Sequence, residues 1–412
     1  MEIGRQRLLV VSLSLLVVVF ALAGRLVGDD GQREETYDQL ATFSEVLHLV
    51  DTSYVDAVSE DELTVGAFRG MLSSLDPKSG WLSAEAVQEY LDSGADRISS
   101  GLETTKRGGY AYVVAVQKGS PAEKAGVGPG DYIRSVDGQS TREMSVFEVR
   151  QRLHGAPSTM IHLNLFGNGQ GRDVVIDLEP FQSPPVTVST HEGGVLLLRV
   201  NYLEDRTVDR LRELLSHPKQ GTEKVLLDLR DTVGGGRAEG AALADLFLGS
   251  GTIVRIRQRG QEETSLEAHE TVVWSGPLAV LVNGLSAGAV EIAVSALQEN
   301  HRAEILGEPT FGDASLQQLI RLPDQSAIIL TVGKYLTAAA ESWAGEGVQP
   351  DVAISSRPDG GPATALGEDA ADEAGASPAD GTRKETADRQ LQEALDHLAH
   401  GQADLTRKKT AA

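Results

Sequence analysis

Apolar positions fall into three regimes along the chain. An apolar run from Leu8 to Gly24 follows two arginines at the N-terminus. From about Glu34 to Ser93 the apolar residues recur at helical spacing: Leu40, Phe43, Val46, Leu47 and Val50, then Leu63, Ala67, Met71 and Leu72. That repeat predicts helices. Beyond residue 194 short solid blocks take over: Val195–Tyr202, Lys224–Leu229, Thr252–Ile256, Leu278–Val282, Ala303–Leu306 and Ala327–Val332. The blocks at 195–202, 224–229 and 278–282 predict buried strands, and the other three predict strands. Helical stretches at Val208–Leu215, Ala238–Leu248 and from about Val290 lie between them. Alternating strands and helices predict a layered α/β core.

Between the helical and α/β regions, residues 96–182 read as a mostly-β domain. Its most informative segment is Gly119-Ser120-Pro121-Ala122-Glu123-Lys124-Ala125-Gly126-Val127-Gly128-Pro129-Gly130-Asp131-Tyr132-Ile133. Pro121 and Ala122 open a short helix, Gly126 closes it, and Pro129-Gly130-Asp131 turns the chain into a strand from Tyr132 to Val136. Residues 355–384 are rich in Gly, Ala, Pro and Asp and are expected to be a disordered acidic linker. An amphipathic helix at 385–401 follows, with Leu391, Leu395 and Leu398 on one face, and then a disordered tail at 402–412.

Charge and composition narrow the function classes. With 412 residues the chain holds two or three domains, and its net charge of −23 argues against a nucleic-acid partner, which needs a basic face. There are no cysteines, so disulfides, thiolate catalysis and Cys-ligated zinc are excluded. The nine histidines are scattered, and His397 and His400 read as a solvated pair on the terminal helix; no metal or cofactor is implied. The basic residues before the run at 8–24, with Ala21-Leu22-Ala23 near its end, predict export. Residues 1–30 are then a cleaved signal peptide or an inner-membrane anchor, and the remainder is periplasmic.

Candidate chemistry concentrates between Val280 and Gln317. A buried strand ends at Val282, the small-residue turn Ser286-Ala287-Gly288-Ala289 follows, and a helix begins at about Val290. Backbone N–H groups are free at such a turn, which is where nucleophiles are commonly mounted. Beyond the helix comes Thr310-Phe311-Gly312-Asp313-Ala314-Ser315-Leu316-Gln317. This pair of motifs resembles the C-terminal processing peptidases, or tail-specific proteases, serine endopeptidases with a Ser/Lys dyad. Their motifs read Ser-Ala-Ser-Ala-Ser-Glu and Thr-Phe-Gly-Lys-Gly-x-x-Gln, with the lysine 25 positions after the nucleophile. The same register places Gly288 at the nucleophile position and Asp313 at the base position, and Gln317 matches the glutamine that orients the lysine.

Further segments carry the same resemblance. Leu75-Asp76-Pro77-Lys78-Ser79-Gly80-Trp81-Leu82-Ser83 is similar to Leu-Asp-Pro-His-Ser-x-Tyr-Leu-Ser, with Lys78 where the family has histidine; on its own it reads as a turn with a helix start at Ser83. Asp228-Leu229-Arg230-Asp231-Thr232-Val233-Gly234-Gly235-Gly236 resembles the turn that supplies half of the oxyanion hole, which assigns Gly234 and Gly235 to it with the Ala289 amide as the other half. Val348-Gln349-Pro350-Asp351-Val352 matches the end of the family's core. The 119–133 segment resembles a PDZ domain, a module that captures extended peptides by strand addition and holds a terminal carboxylate in backbone amides. The loop implied for that role is Ser100, Gly101 and Leu102, after Ser99.

The resemblance implies an α/β protease core with crotonase- and ClpP-like layers at 183–354, an N-terminal helical region at 34–95 and an inserted mostly-β PDZ domain. Gly288 has no oxygen to acylate and Asp313 is no amine, so the chain reads as a pseudoprotease that binds extended or C-terminal peptides. Its expected partners are protein C-termini, an active protease relative and, with an uncleaved N-terminus, the inner membrane. Two other readings stay open on the sequence. One is a working peptidase with Ser286 as displaced nucleophile and Asp313 as base; Ser315 and an Asp313–Glu291 pair read as structural. The other is a structural envelope component assembled through the PDZ domain.

Overall fold

A computed structural model of the protein describes residues 30–91, 98–167, 169–269, 271–355 and 380–400. The apolar run at 8–24, residues 356–379 of the linker and the 402–412 tail lie outside the described residues. The chain divides into two units, Met1–Phe68 and Arg69–Ala412. In the first, α1 (Asp30–Ser53) and the start of α2 (Glu60–Ser73) are helical, as their repeats predict, with Leu40, Phe43 and Val46 exposed.

The second unit begins with β1 (Gly80–Leu82) and α3 (Ala84–Leu91). The turn and the helix start at Ser83 are found as read, and the structure adds a short strand between them. Gly80, Trp81 and Leu82 pair antiparallel with Ile329, Ile328 and Ala327, a partner too far along the chain to leave a local signal. Ser83 caps α3, its Oγ accepting from the Ala86 N–H at 3.1 Å.

The mostly-β domain follows: β2 (Ile98–Ser99), β3 (Leu102–Arg107), β4 (Tyr110–Val116), α4 (Pro121–Lys124), β5 (Tyr132–Val136), β6 (Gln139–Ser140), α5 (Val146–Arg152), β7 (His154–Gly155), β8 (Met160–Gly167) and β9 (Gln170–Asp177). Its antiparallel sheet runs β3-β4-β5-β8-β9, which leaves β3 at an edge beside α5. Ser145 caps α5 through a reciprocal box with Glu148. Ile133, Val149, Leu163 and Ile176 fill the small core.

The α/β core holds β10 (Val186–His191), β11 (Val195–Val200), α6 (Asp205–Ser216), β12 (Lys224–Asp228), α7 (Arg237–Asp245), β13 (Thr252–Gln258), β14 (Thr264–Glu267), β15 (Leu278–Val282), α8 (Ala289–Glu299), β16 (Glu304–Gly307), β17 (Ser315–Arg321), β18 (Ala327–Leu336) and β19 (Val352–Ala353). Its main sheet runs β10-β11-β12-β15-β16-β19 and is parallel from β11 onward. A second sheet is built on β18, with β1, β13 and β17 as neighbours and β14 beyond β13.

The solid apolar blocks have the predicted consequence: alternate residues serve opposite faces. Leu196, Leu198, Val225, Leu227 and Val280 join the core shared with α6, α7 and α8. Leu197, Leu226, Ala279 and Leu281 face the other way and are covered by Ala394, Leu395 and Leu398 of α9 (Asp380–His400). Each fully covered leucine contributes about 1.5–3 kcal/mol, so the terminal helix is an integral layer. Lys224 fixes its end, its Nζ donating to the Leu398 and Ala399 carbonyls at 3.0 and 3.1 Å. Those carbonyls lack partners within the helix and attract a cation.

Candidate active site

Two loops at the carboxyl ends of parallel strands meet to form the site. After β12 the chain runs through Asp231 to Gly236; after β15 it runs through Asn283 to Gly288 and into α8. Asn283 joins the loops, its Nδ2 donating to Asp231 Oδ1 at 2.9 Å while its Oδ1 accepts from the Asp231 N–H at 3.0 Å. The Ala287 N–H donates to the Thr232 carbonyl at 3.1 Å.

Ser286 belongs to this fastening. It is fully buried, and its Oγ donates to the Leu229 carbonyl at 2.8 Å and accepts from the Asn283 N–H at 3.0 Å. A hydroxyl tied at both ends and shut from solvent meets no substrate, so the displaced-nucleophile role is withdrawn.

Gly288 stands at the turn into α8 with φ +69° and ψ −119°. L-residues rarely adopt this backbone, and nucleophiles are mounted on strained strand-to-helix turns of this kind. A Cβ added here would lie 3.7 Å from Asp313 Oδ2, an ordinary contact. A side chain at this position would thus face residue 313. Ala289 opens the helix, where its N–H has no intrahelical partner. Gly234 and Gly235 both have positive φ in the opposing loop, and the Tyr202 ring lies where a Cβ on Gly234 would stand.

Asp313 is held from two sides. Its Oδ1 accepts from Ser315 Oγ at 2.7 Å, and its Oδ2 accepts from the Lys78 ammonium. Burial opposes its charge, but Lys78 and the Ser315 hydrogen bonds outweigh burial and hold the carboxyl below its ordinary range. Lys78 is aimed by a rigid turn: Asp76 Oδ1 accepts from the Lys78 and Ser79 N–H groups, both at 2.8 Å. Ser79 Oγ in turn accepts from the Thr331 N–H at 3.2 Å. Sequence reasoning noted the change at Lys78 and gave it no role. The signal was the opposite charge of Lys78 and Asp313, which the structure pairs.

Glu291, fully buried on α8, fastens the loop carrying Asp313. It accepts from Thr310 Oγ1 and from the N–H groups of Gly288, Gly312 and Asp313 at 2.5–2.9 Å. Burial pushes its carboxyl up to about 7, against the hydrogen bonds and with the Asp313 charge. Gln317 does not join the cluster. It sits exposed on β17 opposite Thr331, just past an irregularity in the pairing, and makes no hydrogen bond to residue 78 or 313 among the described residues.

The mostly-β domain covers the site. Tyr112, Val114 and Ala115 of β4 pack in one cluster with Val233 and Ala287, edged by Tyr202, Leu285 and Phe311. Tyr202 Oη donates to Glu103 Oε1 of β3 at 3.2 Å, and burial followed by the Glu103 charge pushes its hydroxyl value strongly up. The carboxylate-capture loop is also occupied. Ser100 is fully buried with its N–H donated to the Leu153 carbonyl at 2.9 Å, and the Gly101 N–H goes to Ser99 Oγ at 3.0 Å. Leu102 is buried beside them in the first position of β3. Two of the expected amides are therefore spent within the domain. Among the described residues no cluster of histidine, aspartate or glutamate has a metal-holding arrangement, and no helix is long and apolar enough to cross a membrane.

Known proteins supply the context. Residues 194–354 match the model of peptidase family S41, residues 112–164 the PDZ domain, and residues 23–86 the N-terminal domain of the activating protease CtpB. A carboxy-terminal-processing protease of Bartonella bacilliformis is 33% identical over 331 residues, which is 78% of this chain and 76% of that protein. The carboxy-terminal processing protease CtpA of Bacillus subtilis is 30% identical over 308 residues, covering 74% of this chain and 66% of the relative. The structure of a photosystem II D1 C-terminal processing protease superposes with a TM-score of 0.64 at 28% identity, over 76% of this chain and 92% of that one. The chain belongs to the carboxy-terminal processing peptidases of family S41.

Proposed function

We propose that this protein is an exported member of the family that does not hydrolyse peptides through the Ser/Lys dyad and acts by binding extended protein segments, as an adaptor or as a regulator of an active relative. The observation that carries this reading is Gly288: the strained turn is retained without an oxygen to acylate, and the residue it faces is a carboxylate already committed to Lys78. Loss of a nucleophile together with its base costs about 10⁶ in kcat in serine peptidases.

The binding half of the proposal is supported by β3, an edge strand beside α5 in the arrangement that accepts an added strand. Because the Ser100 and Gly101 amides are spent, main-chain pairing along β3 outweighs capture of a free carboxylate. The test offers the purified protein, from Gly31 onward, an unfolded protein substrate and a set of labelled peptides. The expected result is no turnover, with peptides bound equally well as free acids and as C-terminal amides. Turnover abolishes the inactive reading; binding only of free acids restores carboxylate capture; no binding at all leaves a structural envelope role.

A further inference from the structure

The sheet face of the mostly-β domain that covers the site extends beyond the covered part as a row of rings. Tyr112 on β4 lies opposite Tyr132 on β5, and Tyr132 lies opposite Phe166 on β8. Directly paired residues share a face, so the three rings stand side by side across neighbouring strands. Tyr112 and Tyr132 meet edge to face with centroids 5.1 Å apart. The row begins in the apolar cluster with Val233 and Ala287 and runs out to Phe166, which is part-exposed. It is therefore continuous with the candidate site.

Arginines are laid on these rings. The Arg107 guanidinium lies 5.4 Å from the Tyr112 centroid and that of Arg134 lies 4.5 Å from Phe166. A third, from Arg142, lies 4.9 Å from Tyr110, two residues before Tyr112 and on the same face. Lys106 Nζ donates to the Arg142 carbonyl at 2.9 Å and pins that residue in place. Burial pushes the Tyr132 hydroxyl up and the Arg107 charge opposes it, so Arg107 acts on both tyrosines. Neighbouring carboxylates are committed elsewhere, Glu103 to Arg150 at 3.5 Å and Asp131 to Arg172 at 2.6 Å. Among the described residues none of Arg107, Arg134 and Arg142 forms an ion pair. In a chain where acidic residues outnumber basic ones by 60 to 37, three guanidiniums without a carboxylate on one face mark a place for an anionic partner.

We propose that this row is a docking face for an acidic, extended segment of a partner protein, its carboxylates held by Arg107 and Arg134 and its apolar side chains laid over the rings between them. The inference rests on the reading that the chain binds extended protein segments, and it names their chemistry. Two strand spacings, roughly 10 Å, separate Tyr112 from Phe166. A segment of a few residues laid across the row therefore reaches both arginines. The net charge of −23 repels a nucleic acid or an anionic bilayer, whose charges are dense and extend over the whole molecule. A segment with a few carboxylates needs only the local face.

The experiment measures, by fluorescence anisotropy, binding of the purified protein to labelled acetyl-Glu-Val-Glu-Phe-Glu-Val-Glu-amide and to its counterpart with every Glu replaced by Gln. Both ends are blocked, so no terminal carboxylate takes part. The Glu peptide is expected to bind about fivefold tighter or more, with the preference shrinking as salt is raised. Arg107→Gln/Arg134→Gln should abolish the preference and Arg107→Glu/Arg134→Glu should reverse it, with circular dichroism confirming that both variants fold. A preference that survives in Arg107→Gln/Arg134→Gln overturns the proposal. So does capture of phosphatidylglycerol vesicles or a single-stranded oligonucleotide through these arginines with no preference between the peptides. Equal binding of the two peptides overturns this inference and leaves the proposed function standing. Hydrolysis of the Glu peptide with the preference intact overturns the proposed function and leaves the docking face standing. No binding of either peptide overturns both.

Discussion

At residue 288 the backbone, rather than a side chain, sets what the position can hold. With φ +69° the position favours glycine, yet the space beyond it is open to within 3.7 Å of Asp313 Oδ2. Gly288→Ala is therefore expected to cost about 1–2 kcal/mol from backbone strain alone, with no steric term. Urea midpoints measure this, and a neutral substitution would show that the turn relaxes. Glu291 gives the residue scale its pH dependence. Its carboxyl is raised from 4.5 to about 7 in the folded state, so its contribution to stability is complete below about pH 4.5 and is lost as pH rises through about 7. That gap corresponds to about 3 kcal/mol. Asp313 acts oppositely: its lowered value gives stability above its ordinary 3.8, lost only in stronger acid. Between pH 5 and pH 8 the Glu291 effect stands alone of the two. Unfolding free energies of wild type and Glu291→Gln at these pH values should differ in slope, wild type falling more steeply; parallel slopes would sink the assignment. That positions 288 and 313 belong together was legible in the motif register, and the structure sets Asp313 Oδ2 3.7 Å from the place of a Cβ on Gly288. Lys78 was not legible, because its role depends on a carboxylate across the site that no local pattern announces.

The elements repeat this division between local signal and remote partner. The parallel strands were legible as solid apolar blocks, and the terminal helix as an amphipathic repeat, because each pattern is written within a single segment. Where that helix docks was not legible. It covers Leu197, Leu226 and Leu281 on the sheet face opposite α6, α7 and α8. Gln390 adds a polar anchor, its Oε1 accepting from Arg230 at 3.2 Å and its Nε2 donating to the Ile354 carbonyl at 2.8 Å. Arg230 also holds the buried Asp228 at 2.7 Å, just before the glycine turn of the site. The helix therefore braces the loop of Gly234 and Gly235 from behind. Leu395→Ala is expected to cost about 2–4 kcal/mol by cavity formation. Hydrogen exchange should also quicken at residues 230–235 if the brace operates; a stability loss confined to the helix would reject the link.

For the whole molecule, the decisive feature is that the site is shut by another part of the same unit. Tyr112 and Val114 lie on β4 and Val233 and Ala287 on the two site loops, and all four are under 10% exposed. The sequence offered no hint of this closure, since the four residues are ordinary apolar positions in three distant segments. The seal has a polar hinge at one side, where Tyr202 donates to Glu103 and lies over Gly234, and an apolar centre at Val114. A carboxylate placed at that centre could be hydrated only if the surfaces part, because a buried unpaired charge costs several kcal/mol. Val114→Asp should therefore open the cleft while the domain core around Ile133, Val149 and Leu163, which lies on the other face of the sheet, stays folded. Amide exchange at residues 232–236 and 286–290 is expected to accelerate at least about tenfold, the equivalent of about 1.4 kcal/mol of lost closure. Exchange within β8 and β9 should not change. If both regions accelerate together, the two bodies unfold as one and the cleft has no separate open state. If neither responds, the apolar cluster does not hold the site shut, and binding along β3 must be explained with the cleft closed.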